Sequence, residues 1–162
     1  MTVNQKKQQM KAKYIYSNKK LEAGRKTVLF SVLTIFLARM ALFIFELVYF
    51  SQKGLSVSVV SNLLLLPLFL ILYMIYDGNK GISAVPAISA VVRIIVYFST
   101  IHETVTEVGG GVYTGILIGV LILQFFVSVL VSAASKCQAY FTVMQKINFQ
   151  IQKEFLNSRS SK

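Results

Sequence analysis

Four long apolar windows constrain the fold of this chain more than any other feature of its sequence. They lie at residues 28–50, 56–76, 82–101 and 112–134. A helix needs about 20 apolar residues to cross the hydrocarbon core of a bilayer, and each window is long enough. The connectors between the windows are short, which places consecutive helices antiparallel. The sequence therefore predicts an all-α, polytopic membrane protein with four transmembrane helices.

The composition agrees with this class of protein. Hydrophobic residues make up 55% of the chain and charged residues only 14%, whereas about a quarter of the residues of a soluble domain are charged. The first apolar window follows a long basic leader and is as long as a full span. A signal peptide has a shorter apolar core, so the first window is interpreted as an uncleaved membrane anchor.

Lysine and arginine residues are concentrated in the two tails. Residues 1–27 contain eight of them and residues 135–162 contain five, whereas the first connector has only Lys53. Because positive charge favours the cytoplasmic side, both termini are predicted to be cytoplasmic and to contact anionic lipids of the inner leaflet. The net charge of +11 is also typical of nucleic-acid-binding proteins. Because the basic residues flank membrane spans, the preference of positive charge for the cytoplasmic side is the simpler explanation of this net charge. No nucleic-acid partner is predicted.

The C-terminal tail, residues 135–162, has an amphipathic pattern. Its apolar residues recur at spacings of three and four with lysine and glutamine between them: Tyr140, Met144, Ile147, Ile151 and Phe155. This spacing predicts an amphipathic helix. The sequence leaves open whether the helix continues the fourth span, lies along the membrane surface or docks a cytoplasmic partner.

Charged and polar residues inside the apolar windows are the candidate functional residues. Arg39 and Glu46 are seven residues apart and fall on one face of the first helix. At a rise of 1.5 Å per residue, Arg93 lies at the depth of Arg39, Asn62 at the depth of Glu46, and Gln124 near the midplane. A charge at the centre of a span costs about 2.5–3.5 kcal/mol. These five side chains are therefore predicted to share a buried polar core.

Two interpretations of this polar core stay open. In the structural one, Glu46 neutralises one arginine, amide groups satisfy the other, and the network only fixes the packing of the helices. In the functional one, two arginines against one acid leave an excess of positive charge. That excess suits an anionic ligand, a lipid headgroup or the carboxylate of a partner protein.

The fourth window has two candidate packing faces. Gly111, Gly115 and Gly119 are spaced by four, and this GxxxGxxxG pattern lets two helix backbones approach closely. Ser128 and Ser132 belong to a second, hydrogen-bonding face. Either both faces pack within the chain, or one of them binds another membrane protein or a second copy of the chain.

No catalytic or metal-binding motif is present in the sequence. His102 is the single histidine, so the string HETVTE lacks the second histidine of the zinc-protease motif HExxH. No Ser, Cys or Lys is paired with a base in a recognisable motif. The sequence therefore predicts neither an enzyme nor a metal or other cofactor.

These features together predict a small non-enzymatic integral membrane protein, acting as an accessory or regulatory subunit of a larger membrane complex. Its partner is either that complex or, in a homo-oligomer, a second copy of the chain. The alternative is a small oligomeric permease or channel for an anionic solute that uses Arg39 and Arg93 at the membrane midplane. Frequent Lys, Gln and Asn without Trp indicate a bacterial cytoplasmic membrane.

Overall fold

A computed structural model describes residues 3–52, 65–107 and 110–160. Within these ranges the chain is helical and contains no strand. Three of the described helical segments are long and apolar enough to cross a membrane. The predicted all-α fold is confirmed, and so is the presence of helices that could span a membrane.

Seven α-helices follow one another along the described residues: α1 Val3–Lys11, α2 Lys19–Gln52, α3 Leu65–Tyr76, α4 Val85–Val96, α5 His102–Glu107, α6 Gly111–Ala133 and α7 Ser135–Ser160. Shorter π-helical and 3-10 turns lie at Ala12–Tyr16, Lys80–Ile82 and Tyr97–Ile101. The three segments of membrane-spanning length are Lys19–Gln52, Lys80–Ser99 and Gly111–Ala133.

The second predicted span, at residues 56–76, is described only in part. The helix α3 covers its last 12 residues, whereas residues 56–64, which include Asn62, lie outside the described residues. A helix of this length extends about 18 Å, which is short of the ~30 Å hydrocarbon core. The described part of this window therefore does not by itself make a fourth span.

The helix α2 starts in the polar tail, well before the first apolar window. The Oδ1 of Asn18 accepts hydrogen bonds from the backbone N–H groups of Lys20 and Leu21 at 3.0 and 3.3 Å, and so caps the start of the helix. Polar residues with good helix propensity then continue the helix from this cap to the apolar window. Its buried residues recur at spacings of three and four, which gives one inward face: Gly24, Val28, Ser31, Ile35, Arg39, Leu42 and Glu46.

The long helices pack around a common interior. The helix α6 lies between α2 and α4, and α3 packs mainly against α2. Buried apolar residues form two clusters. One cluster lies at the end of the helices where the two tails are and includes Ile35 and Val131. The other lies at the opposite end and includes Leu42 and Leu121. Arg39 lies between Ile35 and Leu42 on α2, at the boundary of the two clusters.

The C-terminal helix α7 covers the interior at the end of the tails. Ala134 has an extended backbone (φ −64°, ψ 125°) and separates α6 from α7. The helix α7 then packs on α1 and α2, and its apolar face is buried among the chain's own residues: Cys137, Tyr140, Phe141, Met144 and Ile147. In this structure that face is buried against α1, α2, the end of α3 and the turn after α3 rather than open to lipid or to a partner.

Two glycines allow this close docking of α7. A Cβ atom built on Gly24 would overlap the backbone carbonyl of Lys136. The backbones of α2 and α7 are therefore in direct contact at this point. Gly78 has a φ of +96° in the turn that follows α3, and a Cβ there would overlap the side chain of Met144. The turn therefore needs glycine both for its backbone conformation and for the space that α7 occupies.

Candidate functional site

Glu46 and Arg93 form an ion pair inside the packed helices. The Nη2 of Arg93 donates to the Oε1 of Glu46 at 2.7 Å, and the hydroxyl of Tyr113 donates to the same oxygen at 3.0 Å. Glu46 is only 2% exposed. A carboxylate so far from water is stable in its charged form only when charged and hydrogen-bonding partners surround it. Sequence reasoning missed Tyr113, because an aromatic residue in an apolar window gives no sign that its hydroxyl contacts an acid.

Arg39 is buried as deeply as the ion pair but is not part of it. Its side chain is 5% exposed, and its Nε and Nη1 have no hydrogen-bond partner within the described part of the chain. It lies close enough to Glu46 and Arg93 to interact with both electrostatically. The structure thus brings Arg39, Glu46 and Arg93 together, and the carboxylate of Glu46 pairs with Arg93 rather than with Arg39.

Gln124 joins α6 to the start of α4. Its Nε2 donates to the carbonyl oxygen of Pro86 at 2.6 Å and to the Oγ of Ser89 at 2.9 Å. Because a carbonyl oxygen can only accept, these contacts fix the orientation of the amide. The Oε1 of Gln124 is buried and has no partner among the residues that the structure describes.

The serine face of α6 packs inside this chain. The Oγ of Ser132 donates to the Oγ of Ser83 at 3.1 Å. Ser128 is buried, and its hydroxyl finds no partner in the described ranges. It borders a cavity of about 10 Å³ between α2, α3 and α6, whose other polar side chains are those of Ser31 and Ser83. A cavity of this size has room for about one water molecule.

An aromatic cluster covers the polar core on the side away from the tails. The rings of Tyr49 and Tyr113 stack with their centroids 5.5 Å apart. The rings of Phe45, Phe50 and Tyr97 lie with their centroids 6.3, 5.1 and 5.9 Å from that of Tyr113. The interior is therefore covered by α7 at one end and by this aromatic cluster at the other.

The glycine face of α6 points away from the interior. No described atom outside their own helix lies within 4 Å of a Cβ built on Gly111, Gly115 or Gly119. The helix α6 uses its other side for α2 and α4, where Leu117 and Leu121 are buried. Of the two predicted packing faces, the glycine face has no partner among the described residues of this chain.

An ion pair from the N-terminal tail and a hydrogen bond from the C-terminal tail join both tails to the turn between α3 and α4. The Nζ of Lys7 lies 2.6 and 2.7 Å from the two carboxylate oxygens of Asp77, and the side-chain amide of Asn148 donates to the carbonyl oxygen of Asp77 at 3.1 Å. Lys11 is also near Asp77. Burial and the charge of Lys7 lower the pKa of Lys11, and Asp77 acts in the opposite direction. Sequence reasoning missed this cluster because 70 residues separate Lys7 from Asp77.

Within the described ranges, no group of three or more His, Cys, Asp or Glu residues could hold a metal ion. Comparisons of the chain with protein-family models, with curated proteins and with solved structures give no match. Its function is therefore inferred from the buried charges, the open glycine face and the docked tails.

Proposed function

We propose that this chain is a non-enzymatic integral membrane protein that acts as an accessory or regulatory subunit of a larger membrane complex. It crosses the membrane four times, has both termini in the cytoplasm and resides in a bacterial cytoplasmic membrane. The glycine face of α6 (Gly111, Gly115 and Gly119) docks a transmembrane helix of the partner protein.

The tail contacts support the proposed topology. The pairing of Lys7 with Asp77 and the hydrogen bond from Asn148 bring α1, α7 and the turn after α3 to one end of the chain. That is the arrangement expected if both tails and the second connector lie on one side of a membrane. The tails carry most of the basic residues, which favours the cytoplasm for that side.

The open glycine face is the observation that carries the proposed docking. In a bilayer, apolar helices gain little from burying apolar surface, so association depends on close van der Waals packing, which small residues at a spacing of four permit. The face formed by Gly111, Gly115 and Gly119 meets this requirement and has no intrachain partner among the described residues. Exposed apolar side chains such as Ile116 and Leu123 flank it, so a partner helix would be held by shape rather than by charge.

The buried charges do not contribute to this docking surface. Arg39, Glu46 and Arg93 face the interior, where the side chain of the most exposed of the three, Arg93, is 15% accessible. A partner carboxylate that bound one of the arginines would have to displace a helix of this chain. The partner is therefore expected to contact α6 from the lipid side and to leave the polar core intact.

Native extraction of the tagged protein, followed by mass determination of the complex, tests the proposal. We expect a larger membrane protein at fixed stoichiometry, and we expect Gly115→Leu to lose it because the side chain would separate the two backbones. The matched control is Gly81→Leu, at a glycine where an added Cβ meets only an ordinary contact of 3.5 Å with Asn79. This variant should keep the partner.

A complex that contains only copies of this chain, and that Gly115→Leu separates, would replace the proposed partner with a second copy. A monomer without any partner in mild detergent would overturn the docking proposal. Retention of the partner by Gly115→Leu would show that the glycine face is not the contact.

The unpartnered guanidinium nitrogens of Arg39 favour a second candidate function, an oligomeric permease or channel for a small anion. The cavity described between α2, α3 and α6 has room for about one water molecule, so transport through it would require an opening motion. Anion flux into liposomes that contain the pure protein distinguishes this candidate from a docking subunit, for which we expect no flux.

A further inference from the structure

The lysines of α1 lie on the side of that helix that faces the rest of the chain. Within residues 5–11, the exposed side chains are all glutamines: Gln5, Gln8 and Gln9. Lys6, Lys7 and Lys11 lie on the opposite, less exposed side, together with Met10. We call these three lysines the lysine face of α1. A helix that only attracted lipids from solution would not need to turn its charges toward its own chain.

Two acidic residues of distant segments contact the lysine face. The Nζ of Lys7 contacts both carboxylate oxygens of Asp77, and the Nζ of Lys11 lies 4.0 Å from one of them. Lys6 forms an ion pair with Glu154 of α7. Met10 packs against the apolar cluster at the end of the tails, but it is only partly buried. Charge is therefore the main source of the docking of α1.

These ion pairs are accessible to solvent, which makes them replaceable. The side chain of Lys7 is 21% exposed and that of Asp77 is 31% exposed, and the ion pair of Lys6 is more exposed still. Exposed ion pairs are weak because water and salt screen them. A lysine gains a similar free energy beside an anionic membrane surface. The amount of anionic lipid can therefore decide which of the two the lysines contact.

We propose that α1 is a lipid-sensitive arm, whose lysine face binds either Asp77 and Glu154 or the anionic headgroups of the inner leaflet. Both positions use the same three ammonium groups, so they exclude each other. In the lipid-bound position Met10, which lies among the lysines, enters the apolar edge of the headgroup layer. Departure of α1 leaves the carboxylate of Asp77 without its lysine partners.

The segment that follows α1 provides the pivot of the arm. Ile15 is fully buried in the apolar cluster at the end of the tails, and Asn18 caps α2 three residues later. The chain is therefore anchored from Ile15 onward. The π-helical turn Ala12–Tyr16 begins directly after Lys11, and such turns are frequent at functional positions of helices.

This inference gives the proposed subunit a signal to which it responds, the anionic lipid content of the membrane. It rests on the part of the proposed function that places the tails at a membrane surface. It does not depend on docking at the glycine face. A test in nanodiscs, in which both leaflets have one lipid composition, is also independent of the side on which the tails lie.

Pulsed EPR distances between spin labels on α1 and α7 test the arm. The labels are attached to Gln9→Cys and Gln152→Cys, two exposed positions, in a chain that carries Cys137→Ala. In phosphatidylcholine nanodiscs we expect a single short distance. Stepwise replacement of this lipid by phosphatidylglycerol should add a second, longer distance, and its share should grow with the anionic fraction.

Three variants assign the effect to the ion pairs. Asp77→Asn should shift the transition to a lower fraction of phosphatidylglycerol, because the docked position loses its counter-charge. Lys7→Gln weakens both positions and should make the dependence on phosphatidylglycerol shallower. The matched control Glu22→Gln removes an equal charge from an ion pair with Lys26 within α2, and it should respond like the unaltered protein.

One unchanged distance at every lipid composition would overturn the inference, and so would equal shifts in Asp77→Asn and Glu22→Gln. If Asp77→Asn does not fold, Lys7→Gln decides, since an undiminished lipid dependence would reject the lysine face as the binding group. A longer distance produced by soluble glycerol phosphate in phosphatidylcholine would overturn the membrane surface as the ligand. A co-purifying partner together with an unchanged distance would reject the arm and keep the docking function.

Discussion

Replacement of Glu46 by glutamine is the sharpest perturbation of the polar core. The substituted amide would keep the shape of the side chain and could still accept the hydrogen bond from Tyr113, but the negative charge that faces Arg93 would be lost. The summed charge of Arg39, Arg93 and the residue at position 46 would rise from +1 to +2. We expect Glu46→Gln to destabilise the folded protein.

The magnitude follows from the geometry of the pair. Breaking a buried ion pair by removing one partner costs about 3–5 kcal/mol, and a hydrogen bond to a charged group contributes about 1.5–3 kcal/mol. The side chain of Arg93 is 15% exposed, compared with 3% for that of Glu46. This partial exposure lowers the cost of leaving the Arg93 guanidinium without its counter-charge. We therefore expect a loss of about 3 kcal/mol in the free energy of unfolding, at the low end of the range for buried pairs.

A double-mutant cycle in an SDS-titration unfolding assay measures this loss. The double variant Glu46→Gln, Arg93→Gln restores the interior charge of the unaltered protein, so it should be less destabilised than the sum of its two single variants. Glu22→Gln, which removes a surface partner of Lys26, is the control and should change stability little. A Glu46→Gln variant as stable as the unaltered protein, or single effects that simply add in the double variant, would refute the assigned pairing.

Two further predictions concern the docking of α7. Gly24→Leu places a side chain where the carbonyl of Lys136 lies, so it should lower the free energy of unfolding by about 1–3 kcal/mol; unchanged stability in the same SDS assay would contradict the close approach of α2 and α7. Cys137 is fully buried, and burial raises the pKa of its thiol. It should therefore react slowly with a water-soluble maleimide even near pH 9, where an ordinary thiol with the reference pKa of 9.0 is half ionised; labelling as fast in the folded protein as in SDS would show that α7 is not docked.

The helices were predictable because their signal is local. The fourth window was predicted at 112–134, and α6 spans Gly111–Ala133, since a continuous apolar run marks both ends of a helix that lies in hydrocarbon. The start of α2 was not predictable in the same way. It lies at Lys19, nine residues before the apolar window, because the Asn18 cap and helix-forming polar residues set it rather than hydropathy.

The contacts of the candidate site were less predictable because they depend on how distant segments meet. The sequence placed Arg39 and Arg93 at one depth and Glu46 seven residues further along the first helix, but it left open which arginine pairs with the carboxylate. Residues seven apart on one helix are about 10 Å apart along its axis, so a residue of another helix can reach Glu46 more directly. The contacts of Tyr113 with Glu46 and of Lys7 with Asp77 likewise exist only once the helices have assembled. Asn62 lies outside the described residues, and its predicted role stays a prediction.

The ion pair also imposes an order of events during biosynthesis. Arg93 follows Glu46 by 47 residues, so at about 5–20 residues per second the ribosome delivers it roughly 2–10 s later. During that interval α2 holds a carboxylate and a guanidinium with no partner from another helix. A charge at the centre of a span costs about 2.5–3.5 kcal/mol, so we expect the first helix to be less stable in lipid until the segment that carries Arg93 has been made.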